Sequence, residues 1–381
     1  PVALGGLHAS ALPMRTLEEG SADFIIEGEE QIPLKELIEA IKTGKDFQKV
    51  SGIWYKENGQ IKNTPKAPLI KNLDKYLPIS AWDLLPMTLY RAHNWHCFDD
   101  IENRKPYSAI YTSLGCPYSC NFCCINAPFG GSSLRFRSPD LVVEEIELLA
   151  KQYGVKNIKI IDEMFVLNER HYMKIVDLLI EKSLDLNIWA YARVDTIQKK
   201  TLQKMKQAGI NWLALGIESA SAEVRDGASK KMKQRDIAKV VHEIQVAGIR
   251  VIGNFIFGLP DDTIGSINET LQLAKGLNCE FVNFYCAMAY PGSNLYATAL
   301  EKGLALPKNW TGYSQHSYDI LPLASENLTA KQIVEFRDAA FHEYYKNPIY
   351  LSMIEKKFGT LVKKHIEEVT KTHLKRAVSA S

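Results

Sequence analysis

From Tyr107 to Met288 the chain repeats one unit, a short apolar run followed by an amphipathic stretch with helical spacing. The apolar runs are "YSAIYTSL", "VKNIKIID", "LNIWAYARV", "INWLALGIE", "IRVIGNFIFG" and "CEFVNFYCAM". Between them stand "SPDLVVEEIELLAKQYG", which opens on Ser138 and stops at Gly154, then "NERHYMKIVDLLIEKSL", "TIQKKTLQKMKQAG", "QRDIAKVVHEIQVAG" and "TIGSINETLQLAKGL". Strands separated by helices of this length run parallel, and their crossovers are right-handed. The pattern therefore predicts an α/β fold in which the strands curl into a six-stranded, partly open relative of the (β/α)8 barrel. A doubly wound open sheet has the same periodicity and is the alternative.

The flanks read differently. Residues 1–75 alternate strand ("PVALGG"), helix ("ALPMRTLEEG"), strand ("ADFIIEGEE") and helix ("PLKELIEAIKTG"), a Rossmann-like pattern with too few strands for a complete two-faced sheet. Either part of this domain lies upstream of Pro1 or another element covers its edge. "VSGIWYKENGQIKN" adds a hairpin turning at Asn58-Gly59. Residues 76–106 form a Pro-bearing linker, 107–300 the barrel, and 301–381 a helical cap built from "TAKQIVEFRDAAFHEYYKN" and "IYLSMIEKKFGTLVKKHIEEVTKTHLKRA".

Lys plus Arg (46) nearly balance Asp plus Glu (44), which argues against a polyanionic nucleic acid partner. The longest apolar stretches, such as "VIGNFIFGLP", fall short of the roughly 18–20 residues of a membrane span. Four of the seven cysteines crowd into "CPYSCNFCC", which favours ligation in a reducing cytoplasm over a disulfide framework. Cys116, Cys120 and Cys123 have the spacing C-x3-C-x2-C, and three thiolates on one loop leave a four-iron cubane with one iron unligated. Cys124 as a fourth ligand and a zinc site are the alternatives; no second cysteine pair follows for zinc.

"CPYSCNFC", with Phe122 before the third cysteine, resembles the signature loop of the radical S-adenosylmethionine (SAM) superfamily. That resemblance implies a [4Fe-4S] cluster whose open iron is chelated by SAM, and reductive cleavage of SAM to a 5′-deoxyadenosyl radical. It also assigns SAM-binding roles to strand ends, with Asp162 and Glu163 toward the methionyl ammonium; the third strand ends in Arg193, a further candidate cofactor contact, on one face with Asp195. Glu218 and Ser219 in "GIES" stand near ribose and methionine, Lys230 (or Lys231) near the carboxylate, and Gly258 and Pro260 in "FGLPDD" form a shelf for adenine. Ser293 occupies the Thr place of a Pro-Gly-Thr turn.

Residues 1–75 resemble the last part of the cobalamin-binding domain found in one branch of that superfamily, with Gly5, Gly6, His8, Gly28 and Glu29 at two strand ends; a Rossmann-like fragment with only a structural role is the alternative. The cobalt-coordinating D-x-H-x-x-G motif is not visible in this chain. The resemblance implies a cobalamin-dependent methyltransferase acting on an unactivated carbon of a small-molecule, lipid-linked or sugar-type substrate, with flavodoxin or ferredoxin as reductant. An oxidative cyclase or rearrangement enzyme is the rival within the superfamily, and an iron–sulfur or zinc module the rival outside enzymes. A methylthiotransferase is disfavoured, because Cys97, Cys279 and Cys286 do not form the second cysteine triad it needs. His93, His96 and Cys97 in "RAHNWHCFDD" read as loop and core residues; that segment and the C-terminal tail are where substrate identity is expected to reside.

Overall fold

The computed structural model describes residues 1–232 and 236–380, so Gln234 and Arg235, which open the fourth expected helix, lie outside the described residues. The chain forms two compact units that do not follow sequence order. Pro1–Leu77, Gly115–Arg135 and Ala289–Leu304 make one, and the other described residues make the second.

In the first unit, strands β1 (Ala3–Leu4) and β2 (Phe24–Ile26) are parallel. The hairpin of β3 (Ile53–Glu57) and β4 (Gln60–Asn63) joins β2 antiparallel, giving the order β1-β2-β3-β4. The hairpin, not a further parallel strand, thus covers one edge. Asn58 (φ 51°) and Gly59 (φ 78°) both sit at positive φ, as a two-residue hairpin turn requires. The single helix expected after β1 is two, α1 (Leu7–Ala11) and α2 (Pro13–Glu19), because Pro13 has no N–H to continue the first and instead opens the second. Helix α3 (Gln31–Thr43) ends at Gly44 in the left-handed region. Its Leu37 and Ala40 pack with Phe24, Ile26, Ile53 and Tyr55 on one sheet face, while Ala9, Leu17 and Ile25 pack with Trp54 and Ile61 on the other. A short helix, α4 (Leu73–Tyr76), follows.

The second unit holds β5 (Tyr107–Ile110) and, after the short strands β6 (Ser113–Leu114) and β7 (Arg135–Phe136) that bracket the cysteine segment, β8 (Asn157–Ile160), β9 (Asn187–Arg193), β10 (Ile210–Glu218), β11 (Arg250–Phe257) and β12 (Phe281–Cys286). The large sheet runs β5-β8-β9-β10-β11-β12, and every pair is parallel. Neighbours in space are neighbours in chain order. A doubly wound sheet would reverse direction at a switch point, so the partial barrel is the fold and β5 and β12 are its edges. The connecting helices are α5 (Pro139–Tyr153), α6 (Glu169–Lys182), α7 (Lys199–Gln207), α8 (Ala222–Gly227), α9 (Ile237–Val246) and α10 (Ile264–Leu277). Helix α5 begins where expected, with Ser138 at the N-cap and Pro139 in the first turn, and Gly154 (φ 65°) ends it.

Residues 78–106 pack with this unit through three short 3-10 turns, and Trp95 closes the N-terminal end of the barrel. Its ring lies 5.1 Å from Trp189, 5.7 Å from Trp212 and 5.5 Å from Phe281. His96 Nε2 hydrogen-bonds the Asn187 carbonyl at 2.8 Å, and the Cys97 thiol donates to Asn157 Oδ1 at 3.3 Å. Buried Glu145 accepts from Ser80 N, Trp82 Nε1 and Arg137 Nη1 at 3.0, 3.0 and 2.7 Å.

After α11 (Asn294–Glu301), which belongs to the first unit, the tail forms α12 (Ala330–Tyr345), α13 (Pro348–Phe358), α14 (Thr360–Val369) and α15 (Ala377–Ala380). Gly359, at φ 86°, breaks the long helix the sequence suggests into α13 and α14. The hydroxyls of Tyr344, Tyr345 and Tyr350 donate to the carbonyls of Cys279, Val282 and Glu280, which pins the tail to the start of β12. Among the described residues no helix is long and apolar enough to cross a membrane.

Candidate functional site

The cysteine loop is shaped by glycine and by turns. Gly115 has φ 88°, and a Cβ there would stand 2.4 Å from the Ser133 carbonyl oxygen, so the two ends of the loop run side by side only with glycine. Turns close between Cys123 N and Cys120 O (3.1 Å) and between Ala127 N and Cys124 O (3.0 Å). Leu295 N, in α11, donates to Asn121 O at 2.9 Å, and the turn containing Ser293 leaves so little room that a Cβ on Gly292 would lie 2.6 Å from Ala127 Cβ. Ser293 itself caps α11 by accepting from Tyr296 N at 3.2 Å.

Cys116 is buried, and Cys120, Cys123 and Cys124 are half-buried. Phe122 is also half-buried. Among the described residues no three His, Cys, Asp or Glu side chains close around a single metal ion. A cubane asks for a different arrangement, in which each thiolate meets its own iron and the sulfurs stand further apart than around one ion. Three thiols on one buttressed loop, with no histidine or carboxylate among them, are a donor set that fits such a cluster. Cys97 and Cys286 are core thiols whose pKa burial pushes up to about 12, and burial raises Cys279 as well. They are inert beside the loop thiols.

Behind the loop, Arg135 is bidentate on Glu29, with Nη2–Oε1 at 2.6 Å and Nη1–Oε2 at 2.9 Å, and Glu29 Oε2 also accepts from Ile70 N at 2.7 Å. Glu29, an expected cofactor contact, therefore has its carboxylate engaged within the protein. Gly6 (φ 95°) and Gly28 (φ 100°) hold backbone conformations that side chains avoid, and Gly28 N donates to Ser10 Oγ at 3.0 Å, joining the two strand-end turns. A Cβ on Gly5 would meet Glu30 Oε1 at 2.5 Å, a contact that the flexible glutamate side chain can relieve by moving. His8 is half-buried, and its pKa is lowered first by burial and then by Arg15.

The barrel's C-terminal strand ends carry the remaining expected residues. Asp162 is buried, and its oxygens accept from Thr112 N (2.6 Å), Thr112 Oγ1 (2.5 Å) and Ser113 Oγ (2.6 Å). It thus locks the end of β8 to the chain after β5. Glu163, next to it, is exposed yet crowded: burial of its carboxyl and the neighbouring Asp162 raise its pKa to about 7, against the pull of Lys159. Arg193 is bidentate on Asp195 (3.0 and 3.3 Å) and donates to Lys231 O at 2.7 Å. Glu218 pairs with buried Lys230, whose Nζ also donates to Gly216 O at 3.0 Å. Glu218 takes φ 65°, where β10 carries a bulge against β11. Ser219 Oγ bonds Thr270 Oγ1 at 3.2 Å. Gly258 (φ 86°) leaves no room for a Cβ beside Ile333, and its N–H and that of Leu259, before Pro260, both donate to Asp262 Oδ2 at 3.0 Å.

Lys159 was not among the expected residues. It points to the concave face of the sheet, with Nζ 4.5 Å from the Trp189 ring and 5.5 Å from Tyr191. Asn254 and Asn283 are on the same face and bond each other at 2.9 Å. The signal for all three is a polar residue at the inward position of an otherwise apolar strand.

A model of the radical SAM superfamily matches residues 110–274. The uncharacterized methyltransferase PH0819 of Pyrococcus horikoshii is 32% identical over 375 residues, covering 98% of this chain and 78% of that protein. The chain belongs to the radical SAM superfamily. The anaerobic magnesium-protoporphyrin IX monomethyl ester cyclase of Rubrivivax gelatinosus is 28% identical over 306 residues, or 78% of this chain and 53% of the cyclase. The chain thus spans about half the length of that relative. The radical SAM methyltransferase TsrM of Kitasatospora setae, solved with cobalamin and a [4Fe-4S] cluster bound, aligns with a TM-score of 0.64 at 19% identity, covering 84% of this radical SAM chain and 62% of TsrM. At that identity the likeness is one of fold.

Proposed function

We propose that this radical SAM enzyme carries a [4Fe-4S] cluster on Cys116, Cys120 and Cys123 and transfers a methyl group to an unactivated carbon with the help of cobalamin. The observation that carries the reading is the three-thiol loop, which leaves one iron of a cubane for an exogenous chelator. When bound by those three cysteines, the cluster would supply the reductive cleavage of SAM to the radical that activates the substrate, with the electron drawn from an external flavodoxin- or ferredoxin-type reductant. Such chemistry places the enzyme in a reducing cytoplasm.

The chain's own part is to bind, orient and exclude water. The Glu218–Lys230 pair presents a neutral, buried unit beside the Gly216 backbone. Glu163 offers a carboxyl that solvent still reaches, suited to a cationic group such as the methionyl ammonium. Cobalamin would be held by the first unit, at the turns of Gly6 and Gly28; the support for it is their positive φ and the fold shared with TsrM. A second reading, oxidative cyclisation without methyl transfer, is favoured by the likeness to the Rubrivivax cyclase.

Anaerobic reconstitution of the full chain with iron and sulfide, followed by SAM and a low-potential reductant, tests the core of this. The expected product is 5′-deoxyadenosine, and its absence from fully loaded protein overturns the proposal. Methyl-labelled SAM separates the two readings once a substrate is found: label enters the product in methyl transfer and stays out in cyclisation.

Glu163 also makes the protein's stability depend on pH. Its carboxyl is easier to protonate in the folded chain (about 7) than in the unfolded one (4.5), so its contribution is fully present below 4.5 and is lost as pH rises through 7. Wild type should therefore lose urea resistance over that interval relative to Glu163→Gln. Solvent contact screens the penalty and keeps the difference small. Parallel profiles for the two proteins would refute it.

A further inference from the structure

At the N-terminal end of the barrel, between the 78–106 segment and helices α12 and α14, lies a cavity of about 490 Å³. It is separate from the strand ends described above: β12 alone, entering it at Phe281, runs five residue steps, roughly 17 Å, to its other end. Its walls are aromatic, with Trp95, Phe98, Phe281, Phe341 and Tyr345 all facing it. Tyr345 presents only its ring, because its hydroxyl is taken up by Val282 N (3.0 Å) and Val282 O (2.7 Å).

The charges in the wall have one sign. Arg91 and Arg104 line the cavity, and among the described residues no Asp or Glu does. Arg104 spends Nη1 on Ala92 O (3.2 Å) and on Asn94 Oδ1, which fixes its plane and leaves the other edge of the guanidinium available. Arg91 is exposed and forms no ion pair or side-chain hydrogen bond among the described residues. His93 is stacked on Trp95 at 5.6 Å, and His365 bonds Asn94 Nδ2 at 2.9 Å. Burial and the nearby Arg104 lower the pKa of both imidazoles, so the two guanidiniums carry the field. Two arginines with no carboxylate to pair with, over a floor of ring faces, form a receptor for something flat and negatively charged.

We propose that this cavity binds a small planar aromatic anion, a carboxylate or phosphate, with Arg91 and Arg104 on the charge and Trp95, Phe281 and Phe341 on the ring. Such a ligand would be seated on the 78–106 segment, at the opposite end of β12 from its C-terminal strand end.

The test is a titration of the purified full chain with 8-anilinonaphthalene-1-sulfonate, read by probe fluorescence, alongside the uncharged N-phenyl-1-naphthylamine. Saturable binding of the sulfonate is expected, about tenfold tighter than that of the neutral probe and weakened about tenfold by Arg91→Glu. Val369→Trp, which fills the wall from an exposed position of α14, should abolish it. Equal affinity for the two probes, or sulfonate binding unchanged in both variants, overturns the proposal. Should Val369→Trp fail to fold by circular dichroism, Arg91→Glu and the probe pair decide alone, since Arg91 is exposed and forms no ion pair or side-chain hydrogen bond among the described residues.

Discussion

Alanine at Cys116, Cys120 or Cys123 will leave the reconstituted protein without its brown iron–sulfur absorption, and with iron and sulfide at background. Under the proposed assignment each of these thiols is one of three on which a cubane depends, so no remaining ligand compensates. The loss should exceed the roughly 10–100-fold in affinity that removing a mere supporting group costs a metal site. SAM cleavage should vanish with the cluster. Cys124→Ala is the discriminating control. It sits in the same half-buried loop, directly after Cys123, and should keep both the absorption and the cleavage. Alanine at Cys97 should keep them too, because burial holds that thiol protonated and it donates a hydrogen bond to Asn157 Oδ1. If Cys124→Ala loses the cluster and Cys116→Ala keeps it, the ligand assignment is wrong.

The same contrast explains what was legible in the sequence. Six strands and their helices could be read because each strand is a continuous apolar run and several helices carry local stop signals, such as Gly154. The hairpin at Asn58-Gly59 was legible for the same local reason. Barrel versus open sheet was not, since periodicity carries no information on strand order; that rests on the pairing of β5 with β8 and so on in turn. Residue types at the strand ends could be read, but not their partners. Asp162 finds Thr112, 50 positions away, and Glu29 finds Arg135, 106 away. A carboxylate at a strand end looks the same in sequence whether it awaits a ligand or is already satisfied. Lys159 was hidden for the opposite reason: inside "NIKI" a lysine reads as a solvent-facing residue, whereas a curled sheet has a concave side that can hold it.

Arg135→Met should be the most damaging single change in the first unit. The guanidinium touches three things at once: both oxygens of Glu29, the Ile70 carbonyl at 2.7 Å, and the Phe129 ring at 5.4 Å. Glu29 has a side-chain exposure of 5%, so removing its partner leaves a carboxylate with little water and one remaining donor, Ile70 N. Breaking a buried pair in this way costs about 3–5 kcal/mol, visible as a lower urea midpoint. Arg135→Lys keeps the charge but loses the fork and the flat face against Phe129, and should lie between wild type and Arg135→Met. The double variant Glu29→Gln/Arg135→Met should be less destabilised than the sum of its singles, because no charge is left stranded. Function enters through position: Arg135 closes the stretch from Gly115 that carries the cysteines, and Phe129 lies within it. Loss of the arginine should therefore also shorten the time a reconstituted cluster survives against a chelator, at temperatures where circular dichroism still reports a folded chain. A variant that is destabilised yet keeps its cluster as long as wild type would show that the ion pair supports the sheet alone and leaves the loop to its own turns.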